Sequence, residues 1–316
     1  MCQNSTPALR QTLRRNFLAY TETLQIDPAA LGRIPSLHMR PSVIVLSFNS
    51  EDTLGATLER ARLVSDEIFV VDSFSNDRTV EIARACGAHV FQHAFEHYGA
   101  QRNWAIESLP VTGTWQLHLD ADEALDERLV QAIQLLREET EHSGYFLARY
   151  VRFLGRVIRH GGMSPTWHMR LFRSGVGQCE SRKYDQHFFL KSGTSARLPG
   201  AIIDDIRMPL GEWTSRHNRW ADGEVAELEA SSSEGQIKPD PYGNPVQRKR
   251  FLRRRYNQLP LFVRPFALFV YRFVFRLGFL DGTEGLIFWV LQTFWFRFLV
   301  DAKIWEKRHL RQTIGK

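Results

Sequence analysis

Residues 42–73 read SVIVLSFNSEDTLGATLERARLVSDEIFVVDS. Two β-branched apolar runs, SVIVLSF and EIFVVDS, flank a helical segment, DTLGATLERARLV. Runs that are apolar at every position belong to strands covered on both faces, and a helix between two of them makes a parallel βαβ unit. Working outward, DRTVEIARACGA predicts a second helix ending at Gly87, AHVFQH a third strand, Ala100–Glu107 a helix, and TWQLHLDADE another buried strand. Such alternation predicts a doubly wound α/β layer with ligands at the carboxyl ends of its strands. Between Ser143 and Asp205, GYFLARYVRFLG, TWHMRLFR and QHFFLK predict antiparallel strands, so the sheet should be mixed; residues 212–230 read as a helix.

The 316 residues, with 41 Lys and Arg against 35 Asp and Glu and 43 % hydrophobic, suffice for one large core and exclude a wholly disordered chain. Cys2, Cys86 and Cys179 are odd in number without a CxxC pair, which argues against a disulfide framework or structural zinc and for a reducing compartment. Met1–Arg40 has no apolar h-region, so no secretory signal is expected; residues 1–40 read as a helical lead-in. The Ser-, Gly- and Pro-rich stretch 231–247, SSSEGQIKPDPYGNPVQ, reads as a linker.

Five polar clusters stand out, most of them at predicted strand ends. Asn49-Ser50-Glu51 follows the first strand and either caps the next helix or meets a ligand. No GxGxxG follows that strand and no Gly-rich lysine loop occurs anywhere, which excludes a dinucleotide cradle and a P-loop. Asp72 ends the second strand, where its carboxylate can accept from a base N–H or a ribose hydroxyl, or merely shape a turn. Gln101-Arg102-Asn103 lies on a helix, and Arg102 alone is as readily a surface charge as a phosphate ligand. Asp120-Ala121-Asp122-Glu123 places three acids within four positions. Crowded carboxylates repel unless a cation resolves them, and a hard divalent ion held by few carboxylates does so while keeping positions for phosphate oxygens. The competing reading is a solvated acidic turn. The fifth cluster runs from Glu180 through Asp185 and His187 to Phe188.

SVIVLSFNSED, IFVVDSFSND, AQRNWAI and WQLHLDADE, in this order, resemble the inverting glycosyltransferases of family 2, in particular the bacterial branch that builds lipopolysaccharide cores and exopolysaccharides. The resemblance covers roughly residues 41–220. It implies an α/β, GT-A-type doubly wound mixed sheet in a domain spanning 41–230, and transfer from a nucleotide sugar, with uridine diphosphate-hexose the expected donor. Its implied donor-binding set here is Ser47, Glu51, Asp72, Arg102 and Asp120, with Asp122 holding Mg²⁺ or Mn²⁺ on the diphosphate. Where many relatives have two acids and a glycine after the second strand, this chain has Asp72-Ser73-Phe74. Inverting transfer needs one base for the acceptor hydroxyl; the resemblance points to Asp185, with Glu180 as the alternative. The plain reading of Asp185 is an ion pair with Arg182 or Lys183. Trp167, Arg170 and His187 fall on the acceptor or diphosphate side, with core packing the competing role for the first two. His217-Asn218 matches a recurrent pattern of the same branch.

Charge divides unevenly. From Gln247 to Lys316 there are 15 Lys and Arg against 4 Asp and Glu, leaving 26 against 31 for residues 1–246. After RKRFLRRR (248–255) the tail is rich in Phe, Leu, Tyr, Trp and Val, with Arg264, Arg272 and Arg276 predicted on one helix face and a capping box expected at Asp281–Glu284. Arg264, Arg272, Arg276 and Arg297 interrupt both candidate membrane passes. Nucleic acid would leave the aromatic bulk without a partner. Helices 248–316 lying in an anionic membrane interface fit best. The expected protein is thus a peripheral enzyme of the cytoplasmic face of the inner membrane with a lipid-linked or polysaccharide acceptor and no nucleic-acid partner. Alternatives are a nucleotidyl or sugar-phosphate transferase and an idle membrane adaptor of the same fold.

Overall fold

The computed structural model describes residues 39–181, 185–229 and 236–314; the expected lead-in falls almost wholly outside them. Three parallel strands form the centre: β1 (Ser42–Ser47), flanked by β2 (Ile68–Asp72) and β4 (Trp115–Asp120), with β3 (His89–Gln92) outside β2. Val43, Val45 and Val70 point to one face, where α1 (Leu54–Ala61), α2 (Thr79–Ala85) and α4 (Glu127–Gln134) cover them. Ile44, Phe69 and Val71 point to the other, covered by α3 (Tyr98–Ser108) through Ala105. Burial on both faces is why these strands lack polar alternation, and the layer is doubly wound as expected.

Beyond β4 the sheet turns antiparallel: β8 (Thr166–Arg173) pairs β4 and β6 (Gly144–Phe153), with β7 (Arg156–Val157) beside β6. β11 (Ser195–Ile206) then runs parallel to β6, and β5 (Glu123–Leu125) pairs antiparallel with β11. β5 is thus remote from β4 along the sheet yet follows it by three residues in sequence. The order β4-β8-β6-β11-β5 must curl until its two ends meet at Ala121-Asp122. QHFFLK contributes β10 (Phe188–Leu190), which pairs only with β9 (Gly177–Cys179) in a separate two-stranded sheet.

The tail is part of this body. α5 (Leu210–Glu229) packs Ala221 and Val225 against Phe296, Val300 and Ile304 of α9 (Phe296–Ile314). Phe288 and Trp289, ending α8 (Gly282–Trp289), share a cluster with Phe153, Ile158 and Trp213. Each large side chain so buried contributes roughly 1.5–3 kcal/mol. The described part of the expected linker is also docked: Ile237 is buried, and α6 (Pro245–Asn257) begins inside the stretch, capped by Asn244 and Gln247.

Two further expectations for the tail are corrected. Arg264, in α7 (Val263–Val270), does not share a face with Arg272 and Arg276 but is buried against Asp301 at 2.8 Å. The carboxylate of Asp281 caps nothing; it accepts from the backbone N–H groups of Arg159 and His160 and from the His160 ring. The run Gly278–Leu310 has the length and mean hydropathy (1.3) to cross a membrane, and only 39 % of its most apolar window is buried in the fold.

Candidate active site

The parallel strands end level with one another, Ser47 beside Asp72 and Leu46 beside Asp120. Asp72 is buried and accepts from Ser47 Oγ (3.3 Å), the backbone N–H of Ser75 (2.9 Å) and Gln92 Nε2 (3.3 Å). The loops after β1 and β2 are laced together. Asn49, at φ 46°, donates its N–H to Ser75 Oγ and accepts from the N–H of Asn76, while Glu51 accepts from the N–H of Arg78 at the exposed rim. Ser47 and Asp72 are therefore brought together on a preorganised floor, and Glu51 stands at its edge.

Closure of the curled sheet gathers four carboxylates, Asp120, Asp122, Glu123 and Asp204, among three guanidinium groups. Asp120 accepts from Tyr98 Oη (2.8 Å), Arg170 (2.9 Å) and Arg102; the two arginines outweigh the cost of burial and hold it well below the usual carboxylate range. Glu123 meets Arg170 at 2.8 Å and Arg149 at 3.0 Å, and Asp204 meets Arg149. Asp122 has no cation within salt-bridge distance among the described residues. Burial and the facing charges of Asp204, Asp120 and Glu123 push its carboxyl up to about 8. The cluster lacks one positive charge, and lacks it at Asp122.

Among the described residues no group of three or more acids, histidines or cysteines forms a ready metal cage. A lone uncompensated carboxylate such as Asp122 could hold a hard divalent ion that keeps waters and takes phosphate oxygens as its remaining ligands. A cavity of about 410 Å³ opens beside Asp122, bordered by Thr57, Arg60, Arg152, Asp205 and Arg207.

Arg102 and Arg170 do not face a ligand as expected. Arg102 is 0 % exposed and donates to Tyr98 Oη, the Leu119 carbonyl and Asp120. Arg170 is buried between Asp120, Glu123 and Tyr98. Both fix Asp120 from behind. The helical spacing of QRN explains the motif. Gln101 reaches Ser73 Oγ and the His93 carbonyl, Arg102 reaches β4, and Asn103 brackets both backbone groups of Cys179. Three successive side chains, turned about 100° apart, tie three walls of the site together.

The wall after β9 carries the two proposed bases. Glu180 is fully buried, and its oxygens accept from Arg250 Nη1 (2.8 Å), Arg250 Nη2 (2.5 Å) and the N–H groups of His187 and Ile237. Asp185, at φ 54°, meets Lys249 Nζ (3.0 Å), Arg253 (3.0 Å) and His187 Nε2 (3.3 Å). Against its burial, Lys249 and these partners hold it well below the usual range. Lys249 and Arg253 come from α6 and His187 from just before β10; the expected partners, Arg182 and Lys183, lie outside the described residues. His187 is buried beside Asp185, and Trp167 stacks under the Arg197 guanidinium at 4.5 Å. Tyr98, Arg149, Asp204, Lys249 and Arg253 are the members that sequence reasoning missed. The pair Asp204-Asp205 after AII repeats the signal of an apolar strand ending in acids; the others carry no local signal.

Residues 42–192 match the family model for glycosyl transferase family 2. They form a glycosyl transferase family 2 domain. Its curled mixed sheet bears out the expected α/β, GT-A-type architecture. The chain is similar to an uncharacterized glycosyltransferase of Rickettsia prowazekii, 29 % identical over 147 residues, which are 46 % of this chain and 47 % of that one. A Rickettsia conorii counterpart is 33 % identical over 153 residues, 48 % of this chain and 50 % of that one. The chain thus spans about half the length of the curated relatives it matches. Among solved structures, a mannosyltransferase from Pyrobaculum calidifontis in complex with GDP-Man and Mn²⁺ aligns at a TM-score of 0.47 and 15 % identity, over 84 % of this chain and 86 % of that one. Glucosyl-3-phosphoglycerate synthase from Mycobacterium tuberculosis, with Mn²⁺ and UDP, aligns at 0.36 and 15 % identity, over 56 % and 75 %.

Proposed function

We propose that the chain is an inverting glycosyltransferase that moves a hexosyl group from a nucleotide diphosphate sugar, with uridine diphosphate the expected carrier, to a lipid-linked glycan at an anionic membrane face. The observation that carries this reading is Asp122: an uncompensated carboxylate at a strand end, beside the cavity and the floor formed by Ser47 and Asp72. A divalent cation, Mg²⁺ or Mn²⁺, when bound at Asp122 supplies neutralisation for the departing diphosphate. Asp72 and Ser47 face the nucleoside, and Glu51 stands at the rim near it. Asp120, locked by Tyr98, Arg102 and Arg170, presents a fixed edge to the ribose.

Counting lone pairs favours Asp185 over Glu180 as the base. An ionised carboxylate accepts about four hydrogen bonds. Glu180 uses four, which supports a structural role for it. Among the described residues Asp185 uses two, Oδ1 accepting from Lys249 and Oδ2 from Arg253, which supports reserving a remaining position for the acceptor hydroxyl. The hydroxyl proton passes to Asp185 as its oxygen attacks the anomeric carbon, the bond to the diphosphate breaks, and the configuration inverts without a covalent enzyme intermediate.

A membrane-borne acceptor is supported by where the tail docks. β8 runs antiparallel to β4, so the 154–165 connection between β6 and β8 leaves the sheet at the end where Asp120 lies. The tail packs against that connection, bringing its exposed aromatic surface to the same end as the donor floor. Calorimetric titration of UDP and of GDP with Mg²⁺ or Mn²⁺ tests the donor site. Wild type should bind one of them, Asp122→Ala should lose at least roughly tenfold, and Asp185→Asn should bind normally but fail to transfer. No binding in wild type would leave the idle-adaptor reading in its place, and undiminished binding in Asp122→Ala would count against the metal-assisted transferase reading.

A further inference from the structure

The π-helical turn Tyr271–Phe275 and the residue after it carry two arginines that the fold does not neutralise. Arg272 is largely buried. Among the described residues its Nη1 reaches only the Gly161 carbonyl at 3.5 Å and its Nε has no hydrogen-bond partner, and its guanidinium lies 5.9 Å from the Trp289 ring centre. Arg276 lies along Gly162, so close that a Cβ there would meet Arg276 Nε at 2.9 Å. Neither arginine has a carboxylate within salt-bridge distance among the described residues, whereas Arg264 is matched by Asp301 and Arg297 by Glu224. Burial and the like charges of Arg297 and Arg276 push Arg272 down to about 10. A buried cation without a counter-charge is costly, and a fold that keeps one beside a second cation is short of an anion.

The surroundings say what carries that anion. Phe275 is 72 % exposed and Phe266 59 %, with Tyr271, Val274 and Phe279 also open to solvent. A free anion would leave these side chains in water; a phosphate on a hydrocarbon anchor would cover them.

We propose that Arg272 and Arg276 form a binding site for the phosphate of an anionic membrane lipid, one whose headgroup carries no ammonium to pair with that phosphate, clasped between the π-helical turn and the Gly161-Gly162 turn while the neighbouring aromatics enter the acyl boundary. The inference rests on the membrane-facing part of the proposed function. It also fixes an orientation: the lipid phosphate plane meets the protein at the 154–165 connection, on the donor end of the sheet.

Flotation of the full chain with phosphatidylcholine vesicles, with and without phosphatidylglycerol, tests the site. Arg272→Met and Arg276→Gln should each lose roughly tenfold in binding to the phosphatidylglycerol vesicles, somewhat more than a cation in the diffuse surface potential contributes. Neither should lose binding to phosphatidylcholine alone. Because the bound lipid would take both guanidinium groups out of water, the loss should persist in high salt, whereas the loss caused by Arg254→Gln/Arg255→Gln on the exposed side of α6 should vanish there. Arg276 is exposed, so its variant should keep the fold even if Arg272→Met does not. Unchanged binding in Arg276→Gln, an equal loss on both vesicle types, or a loss that disappears in high salt would overturn the proposal. Displacement by inorganic phosphate would mark a site for a free anion instead and overturn it equally. Wild type that floats with neither vesicle would sink the membrane reading itself, while the nucleotide titrations judge the transferase reading separately.

Discussion

Arg250 of α6 holds both carboxylate oxygens of Glu180, and both side chains are buried. The basic segment is therefore keyed into the wall that carries Asp185. Arg250→Met would strand a buried carboxylate and should cost about 3–5 kcal/mol in urea denaturation, with Glu180→Gln/Arg250→Met recovering part of the loss. A chain ending at Gln247 should accumulate no folded protein; a soluble, cooperatively melting product would show the tail to be peripheral.

Tyr98 is the shared hub of Asp120, Arg102 and Arg170. Tyr98→Phe leaves both ion pairs but removes their common hydroxyl, for an expected loss of about 1–3 kcal/mol. Nucleotide affinity should fall with it, because the Asp120 carboxylate loses its fixed orientation. Thermal melts and titrations on the same preparation check the two together.

Gly161 has φ 81°, and a Cβ on it would run into the Trp289 ring. Gly161→Ala combines backbone strain with a clash against a buried ring and should cost about 2–4 kcal/mol. Limited proteolysis should then cut first between α7 and α8, before the sheet is attacked.

His217 stacks on Trp213 and bridges the Trp213 carbonyl to Gln292 of the tail. Burial pushes its pKa down from 6.5 to about 4. As pH falls, the unfolded chain takes up this proton before the folded one does. The stability contributed by neutral His217 is complete above pH 6.5 and should drain away as pH falls to about 4. His217→Gln should flatten that part of the stability profile; an unaltered profile would assign the acid sensitivity elsewhere.

Strands buried on both faces were legible because burial leaves an uninterrupted apolar run: SVIVLS, IFVVD and WQLHLD are β1, β2 and β4 with their ends almost at the expected residues. β11 was not, because Pro199 and Gly200 break its pattern and the pairing with β6 shifts register between Arg197 and Ala201. Asp204, and with it the fourth carboxylate, was lost along with that strand. The acids of the site announce themselves at strand ends, but their cations arrive from α3, β6, β8 and α6, distances in sequence that no local pattern encodes. The same blindness affected the tail: helical periodicity put Arg264 with Arg272 and Arg276, yet Asp301, 37 residues away, pairs with Arg264 alone of the three.

The meeting of β4 and β5 also constrains length. Asp204 pairs with Glu123 across β11, and Leu46 with Asp120 across β1, so both sides of the Ala121-Asp122 step are pinned to fixed registers. One residue inserted there would slip β5 by a position, turn Glu123 away from Arg149 and Arg170, and point an alanine or a solvent-seeking side chain where Asp122 now stands. The acidic turn should tolerate exchange of side chains far better than any change in their number, which makes insertion scanning across residues 120–123 a sharper probe of this domain than substitution.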